Sequence, residues 1–210
     1  MQVTIIGNGK MAKGIGVRLV NGGHELFIHS KDELKGRELA DQLEKSGSSA
    51  KVTVESVGSE IKGVSILAVP YGEVSQLADE YNGFAGKVVV DITNPVDFNT
   101  FQLIPEPGKS GAEEIARTIP NARVVKGFNT TLAGTLEAGS VDGQELDVFI
   151  AGDDQSAKDE VKSLVKSSGM RPIDVGPLAY SRHLEGFGLI QMQIQDQINT
   201  NWMSALKFIG

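Results

Sequence analysis

The chain reads as a doubly wound α/β protein built on a mostly parallel sheet of about eight strands. Three features carry that reading. A strand, a glycine-rich turn and a helix open the chain within its first twenty residues. Short apolar runs then alternate with amphipathic segments from end to end. Those runs are continuous rather than alternating, as strands covered on both faces should be.

Gln2 to Ile6 is the first strand, mostly apolar and β-branched. Gly7-Asn8-Gly9-Lys10-Met11-Ala12 follows at once, and Met11, Ile15, Leu19 and Val20 then fall at helical spacing. Strand, G-x-G-x-x-A and helix is the context of a dinucleotide-binding turn. Gly7 permits the tight turn, Gly9 lets the backbone approach a pyrophosphate, and Ala12 lets the helix pack closely on the strand. The first helical N–H groups would face the phosphates, aided by the positive end of the helix dipole.

Asn21-Gly22-Gly23-His24 stops that helix, and Glu25 to His29 is the second strand. Lys31 to Lys45 predicts a charged helix with Leu34, Leu39, Ala40 and Leu43 inward. Val52 to Val54 and Val64 to Val69 are the third and fourth strands, the latter ended by Pro70. A helix from about Glu73 to Tyr81 precedes the fifth strand, Lys87 to Ile92. Thr93 to Lys109 has no periodicity and holds Pro95, Pro105 and Pro107, which marks a functional loop. Ser110 to Glu113 is a capping box that starts a helix ending before Pro120. Arg123 to Lys126, Leu146 to Ala151 and Arg171 to Val175 complete the strands, with a helix over Ser156 to Ser168. Residues 1–210 are expected to form one domain, with a C-terminal helix from about residue 178 packed on it.

Composition narrows the function. The chain has no cysteine, which excludes disulfides, iron–sulfur clusters and thiol catalysis. His24, His29 and His183 show no metal-ligand spacing, so no metal is expected. A formal charge of −7 with interspersed signs argues against nucleic-acid binding. No apolar run approaches the ~20 residues of a membrane span, and no leader pattern is visible, which fits a cytoplasmic protein.

The end of the second strand separates the nucleotides. A site for NAD places Asp or Glu there to bind the ribose 2′-hydroxyl. Here the strand ends His29-Ser30-Lys31, with Lys35 and Arg37 beyond. Ser30 and Lys31 can donate hydrogen bonds and positive charge to a 2′-phosphate, so NADP(H) is the expected ligand. Asp32 keeps NAD open, and Lys31 and Arg37 also read as solvated charges at a helix start.

The segments GNGKMAKGIG, HSK, DITNPV, VVKGFNT, VFIAGDD and MRPIDVGPLAYSRHLE run in an order that resembles the coenzyme-F420-dependent NADP oxidoreductase family. That family includes the N-terminal oxidoreductase domain of the STEAP metalloreductases, and the likeness covers nearly the whole chain. It implies a Rossmann-type domain that passes hydride between NADP(H) and a flavin or deazaflavin co-substrate. Ser30 and Lys31 would take the 2′-phosphate, and Asn8, Lys10 and Met11 would surround the diphosphate. Val69, Pro70 and Tyr71 would line the ribose. Asn94, Pro95, Asn129 and Thr130 would line the hydride-transfer site. The Thr93-Asn94-Pro95 and Phe128-Asn129-Thr130 stretches are closer in wording to bacterial and STEAP-like members than to the archaeal reductases.

No Ser-His-Asp set, activated carboxylate pair or Tyr-x-x-x-Lys is present. Hydride transfer needs none, because the cofactor carries the reaction and the protein supplies distance, angle and dryness. A ketone or imine acceptor usually needs a proton donor as well, whereas a flavin takes its proton from water. Asn94 and Asn129 follow strands at the edge where open α/β sheets bind ligands, though Asn-Pro and Phe-Asn-Thr also make ordinary turns. Asn94-Pro95 further marks a rigid peptide at which a cis bond is an option. Arg182 and His183 read either as anion binders beside the pocket or as a surface pair.

Leu184, Phe187, Gln191, Ile194, Ile198 and Trp202 make one helical stripe for packing on the sheet edge, and the amide-rich remainder suits a homodimer interface. Phe98, Phe101 and Leu103 would wall a planar ring or anchor their loop. The leading reading is an NADPH-dependent reductase of a small-molecule redox acceptor, a flavin or deazaflavin. The alternatives are a reductase of small imines or carbonyls, disfavoured by the short stretch after Val175, and a non-catalytic NADP(H) sensor.

Overall fold

A computed structural model describes residues 1–46, 51–81 and 83–209. The first mononucleotide half runs β1 (Gln2–Ile6), α1 (Lys10–Asn21), β2 (Glu25–Ser30), α2 (Glu33–Glu44) and β3 (Val52–Ser56). The second runs β4 (Val64–Leu67), a 3-10 turn over Tyr71–Glu73, α3 (Val74–Glu80) and β5 (Val88–Asp91). A hairpin of β6 (Val96–Asp97) and β7 (Gln102–Leu103) follows, then α4 (Gly111–Thr118) and β8 (Arg123–Lys126). After α5 (Ala133–Ala138) comes a small hairpin of β9 (Ser140–Val141) and β10 (Gln144–Glu145). The chain closes with β11 (Asp147–Gly152), α6 (Gln155–Ser167), β12 (Arg171–Gly176), a 3-10 turn over Leu178–Tyr180, α7 (Ser181–Gln193) and α8 (Gln195–Ile198).

Eight strands form one sheet in the order β12-β11-β8-β5-β4-β1-β2-β3. Six of them, from β3 to β8, are parallel, in the doubly wound order that reverses between β1 and β4. β11 pairs antiparallel with β8 through Ala151↔Lys126, and β12 then runs parallel to β11. The sheet is thus mostly parallel, as the apolar runs predict, with the change of direction at β11. The register matters downstream: through Ala151 the end of β12 at Gly176 comes level with Lys126 at the end of β8, and the first turns of α7 then reach Lys126 and Asn129.

One core lies against α1, α2, α5 and α6, and a second on the opposite face against α3 and α4. Close helix contacts depend on missing side chains. A Cβ on Gly14 would lie 2.7 Å from the Ala133 carbonyl oxygen, and one on Gly16 would lie 2.8 Å from Leu43 Cδ1. Leu43 is fully buried there, worth ~1.5–3 kcal/mol.

Two sequence expectations are corrected. Leu34 is 74% exposed, because α2 starts at its Asp32 cap and turns Gly36, Leu39, Ala40 and Leu43 inward instead. Gly36 stands where a Cβ would meet Val54 Cγ1 at 2.9 Å. The C-terminal stripe is also broken. Leu184 and Gln191 are buried, but Phe187, Ile198 and Trp202 are exposed. Helix ends at Asn199 in a left-handed conformation, and Trp202 lies beyond it. The last residues instead return to β11, where Lys207 Nζ and the Phe208 N–H donate to Asp147 at 3.2 and 3.0 Å.

Candidate functional site

The glycine turn lies between the carboxyl ends of β1, β2 and β4. Gly7 has φ +119°, and its N–H donates to the His29 carbonyl at 2.9 Å. Gly9 is the N-cap of α1, with no side-chain cap and no acidic residue in the first turn. A Cβ on Gly9 would meet nothing within 4 Å. The first N–H groups of α1 therefore open onto free space, the condition an anion needs. Ala12 is fully buried beneath them.

From this turn a cleft of about 260 Å³ extends over β2 and β4, lined in part by Asn8, Ser30, Lys31, Lys35, Val69 and Pro70. Lys10 borders an adjoining hollow that shares Asn8, Gly9 and Lys35. Met11 packs against the core. Tyr71 lies outside the cleft lining: its hydroxyl donates to the Glu114 carboxylate, and burial with that carboxylate raises its pKa.

Asn8 Nδ2 donates to Ser30 Oγ at 2.6 Å, and Ser30 Oγ donates to the Asp32 carbonyl at 2.6 Å. Asp32 accepts from the Lys35 N–H at 3.2 Å, and that bond holds its carboxyl below the usual range. An acid is thus present beyond β2, but it is engaged as the cap of α2. Lys31 stays half exposed, 3.5 Å from Glu80, while Arg37 pairs with Glu33 at 2.5 Å on the outer face of α2.

Beneath the strand end lies a network the sequence did not suggest. His29 is fully buried, its Nδ1 2.8 Å from Tyr81 Oη and its Nε2 3.2 Å from Glu55. Burial lowers the His29 pKa, against the pull of Glu55, and pushes Tyr81 up to about 12.

The second half of the carboxyl edge carries the asparagines. Asn94 follows β5 and Asn129 follows β8. Asn94 Nδ2 donates to the Asn129 carbonyl at 2.8 Å, Asn129 Nδ2 donates back to Asn94 Oδ1 at 2.9 Å, and the same amide reaches the Leu184 carbonyl at 2.9 Å. A Cβ on Gly188 would fall 2.5 Å from Asn94 Oδ1, so α7 approaches the pair only through a glycine. The bend carrying Asn129 rests on Phe128, a buried non-glycine residue at φ +60°. Such a conformation costs on the order of 1–3 kcal/mol and persists where surrounding packing imposes it. Thr130 is buried with its Oγ1 unpartnered, as is Asn129 Oδ1. The Asn94-Pro95 peptide is trans, and Pro95 packs against Gly111 at the start of α4.

Under this edge lies a buried ionic cluster, also missed. Lys126 is 0% exposed and donates to Asp91 Oδ2 at 2.8 Å, the Thr93 carbonyl at 2.6 Å and Glu185 Oε1 at 2.9 Å. Glu185 also accepts from the Gly111 and Ala112 N–H groups at 2.9 and 3.2 Å. Burial pushes the Lys126 pKa down, but Asp91 and Glu185 outweigh it and the pKa is raised. A lysine closing an apolar strand was the one available signal. His183 is exposed and stacks edge-on with Tyr180, and Arg182 lies 3.6 Å from Glu113. Among the described residues no helix is long and apolar enough to cross a membrane, and no three His, Asp or Glu side chains converge as a metal site needs.

Comparisons with known proteins bear on the fold and on the class of cofactor. Residues 2–95 match the family model described as NADP oxidoreductase, coenzyme F420-dependent. The chain is 30% identical over 215 residues to the F420-dependent NADP reductase of Methanothermobacter marburgensis, covering 94% of this chain and 95% of that protein. It is 34% identical over 191 residues to the metalloreductase STEAP3 of Rattus norvegicus, covering 90% of this chain but only 36% of that relative's length. A crystal structure from Arthrobacter sp. FB24, provisionally assigned as an F420 dependent NADP reductase, superposes with a TM-score of 0.83 at 26% identity over 100% of both chains. Fold, turn and relatives together define a Rossmann-type NADP-dependent oxidoreductase. Within that class, the chain belongs to the coenzyme-F420-dependent NADP oxidoreductase family.

Proposed function

We propose that this chain passes hydride between NADP(H) and a flavin or deazaflavin. The observation that supports the acceptor class is that two titratable donors near this edge, Tyr71 beside Pro95 and Gly111 and Lys126 bonded to the Thr93 carbonyl, are already committed. Tyr71 donates to Glu114 with a raised pKa, and Lys126 is buried in three bonds. An imine or carbonyl acceptor would lack a proton donor there.

When bound, NADP(H) supplies a hydride at C4 of its nicotinamide ring. The uncapped N–H groups of Lys10, Met11 and Ala12, with Gly7, Asn8 and Gly9, hold the diphosphate. Ser30 and Lys31 take the 2′-phosphate, Ser30 by turning its hydroxyl from the Asp32 carbonyl. Val69 and Pro70, which line the cleft, flank the ribose. Asn94, Pro95, Asn129 and Thr130 orient the nicotinamide end. Phe98 and Phe101, exposed beside the β6–β7 hairpin with ring centroids 6.3 Å apart, wall a planar acceptor against water.

The test follows NADPH absorbance with FMN, FAD, riboflavin, a deazaflavin and small imines or ketones. Turnover with a flavin or deazaflavin is expected. Turnover with imines alone, or tight NADPH binding without turnover, overturns the acceptor assignment. For the cofactor, Lys31→Glu is expected to weaken NADPH by about tenfold to a hundredfold, from the loss of one charge-assisted bond. NADH should be nearly unaffected; equal losses would remove the 2′-phosphate role from Lys31.

A further inference from the structure

The Lys126 cluster contains more negative than positive charge. One ammonium faces two carboxylates, Asp91 and Glu185, all three nearly or fully buried. The N-terminus of α4 offsets part of the excess by donating two N–H groups to Glu185. Glu114, bonded to Tyr71 on the same helix, adds a further formal negative charge. The cluster is tied directly to the residues that carry the asparagines. Lys126 binds the carbonyl of Thr93, adjacent to Asn94, and Glu185 follows Leu184, whose carbonyl receives the Asn129 amide. Asp91 and Lys126 face each other in register at the ends of β5 and β8.

In a doubly wound sheet the two halves of a dinucleotide straddle the strand-order reversal. With Ser30 and Lys31 on the β2 side, the nicotinamide half lies over β4, β5 and β8, above this cluster. The oxidised nicotinamide ring bears a positive charge and the reduced ring does not. We propose that the Asp91–Lys126–Glu185 cluster holds an excess negative charge that favours NADP⁺ over NADPH on the protein, and so makes the bound reduced cofactor a stronger hydride donor. This rests on the nicotinamide assignment made above. The effect acts through space, is set by buried groups, and is little screened by salt.

The ratio of dissociation constants for NADPH and NADP⁺, read by fluorescence and calorimetry without any acceptor, tests it. A purely structural role would weaken both forms alike and leave the ratio unchanged. A buried unit charge acting over about 10 Å changes such a ratio on the order of tenfold. Glu185→Gln and Asp91→Asn, confirmed folded by circular dichroism, are each expected to weaken NADP⁺ relative to NADPH by about that factor. Asp159→Asn, the same charge change on exposed α6, should leave the ratio alone. The wild-type chain gives a reading that needs no variant: NADP⁺ should bind at least as tightly as NADPH, with little dependence of the ratio on salt. An unmoved ratio in folded variants, or NADPH bound tenfold tighter than NADP⁺ by the wild type, overturns the proposal while leaving NADP(H) binding intact. Failure to bind either form overturns the proposal and the functional reading together.

Discussion

A methyl group on Gly7 would sit 2.2 Å from the Ala68 carbonyl oxygen, in backbone already at φ +119°. Gly9 differs: its φ is −81° and its missing side chain faces open space. The two glycines should therefore fail differently. Gly7→Ala is expected to lose about 3 kcal/mol or more of stability, strain plus a backbone clash. Gly9→Ala should unfold within ~1 kcal/mol of wild type yet lose NADPH affinity, because its methyl enters the space before the α1 N-terminus. Thermal unfolding and cofactor titration separate the two. At His29, the folded pKa lies below its ordinary 6.5, so its neutral form is the one the fold accommodates. That stability is complete above about pH 6.5 and is lost as pH falls through the lowered folded value. His29→Gln should flatten the denaturation midpoint across that window. These glycines were legible because each imposes a backbone demand that spacing reveals. Lys126 and Glu185 were not, since 59 residues separate partners that only the fold unites.

At the scale of elements, α7 shows where periodicity ran out. Leu184 and Gln191 turn inward as the spacing predicted, but Phe187 does not, because Glu185 and Gly188 occupy the face toward β5 and β8. A charged residue and a glycine carry no hydrophobic signal, although here they define the contact. Gly188→Ala would place a Cβ 2.5 Å from Asn94 Oδ1. Only a side-chain end must move, so stability should change by about 1 kcal/mol or less. Hydride transfer should instead fall about tenfold or more as the asparagine pair is displaced. Retained kcat in a folded Gly188→Ala variant would remove that pair from the transfer site. Leu34 illustrates the opposite error: an apolar residue in a charged helix read as inward, while the Asp32 cap set the helix start and turned it to solvent.

For the whole molecule, strand positions and the doubly wound order followed from apolar runs and glycine stops, because each is local. The antiparallel β11 and the returning tail did not, because strand direction and long-range ties leave no periodic trace. Asp147 anchors that tail. Burial pushes its carboxyl up, but Arg171 at 2.7 and 2.6 Å, with the Phe208 N–H and Lys207, holds it below its usual value. Its contribution is present above about pH 3.8 and lost as pH falls through the lowered folded value. Asp147→Ala should cost about 3 kcal/mol, the low end for a broken buried pair because Arg171 is partly exposed. Urea unfolding at pH 7 and pH 3 would show the difference between variant and wild type shrinking in acid.

The late position of α7 also sets an order on biosynthesis. Chains emerge from the ribosome N-terminus first and fold as they emerge. The glycine turn, Ser30 and Lys31 are complete while Glu185 and the Leu184 carbonyl are still unmade, so Lys126 waits with one carboxylate and Asn129 with one partner missing. A stalled nascent chain ending before α7 is accordingly expected to hold the adenylate half of a dinucleotide while its other end stays unfinished, and translation of a single helix closes the site.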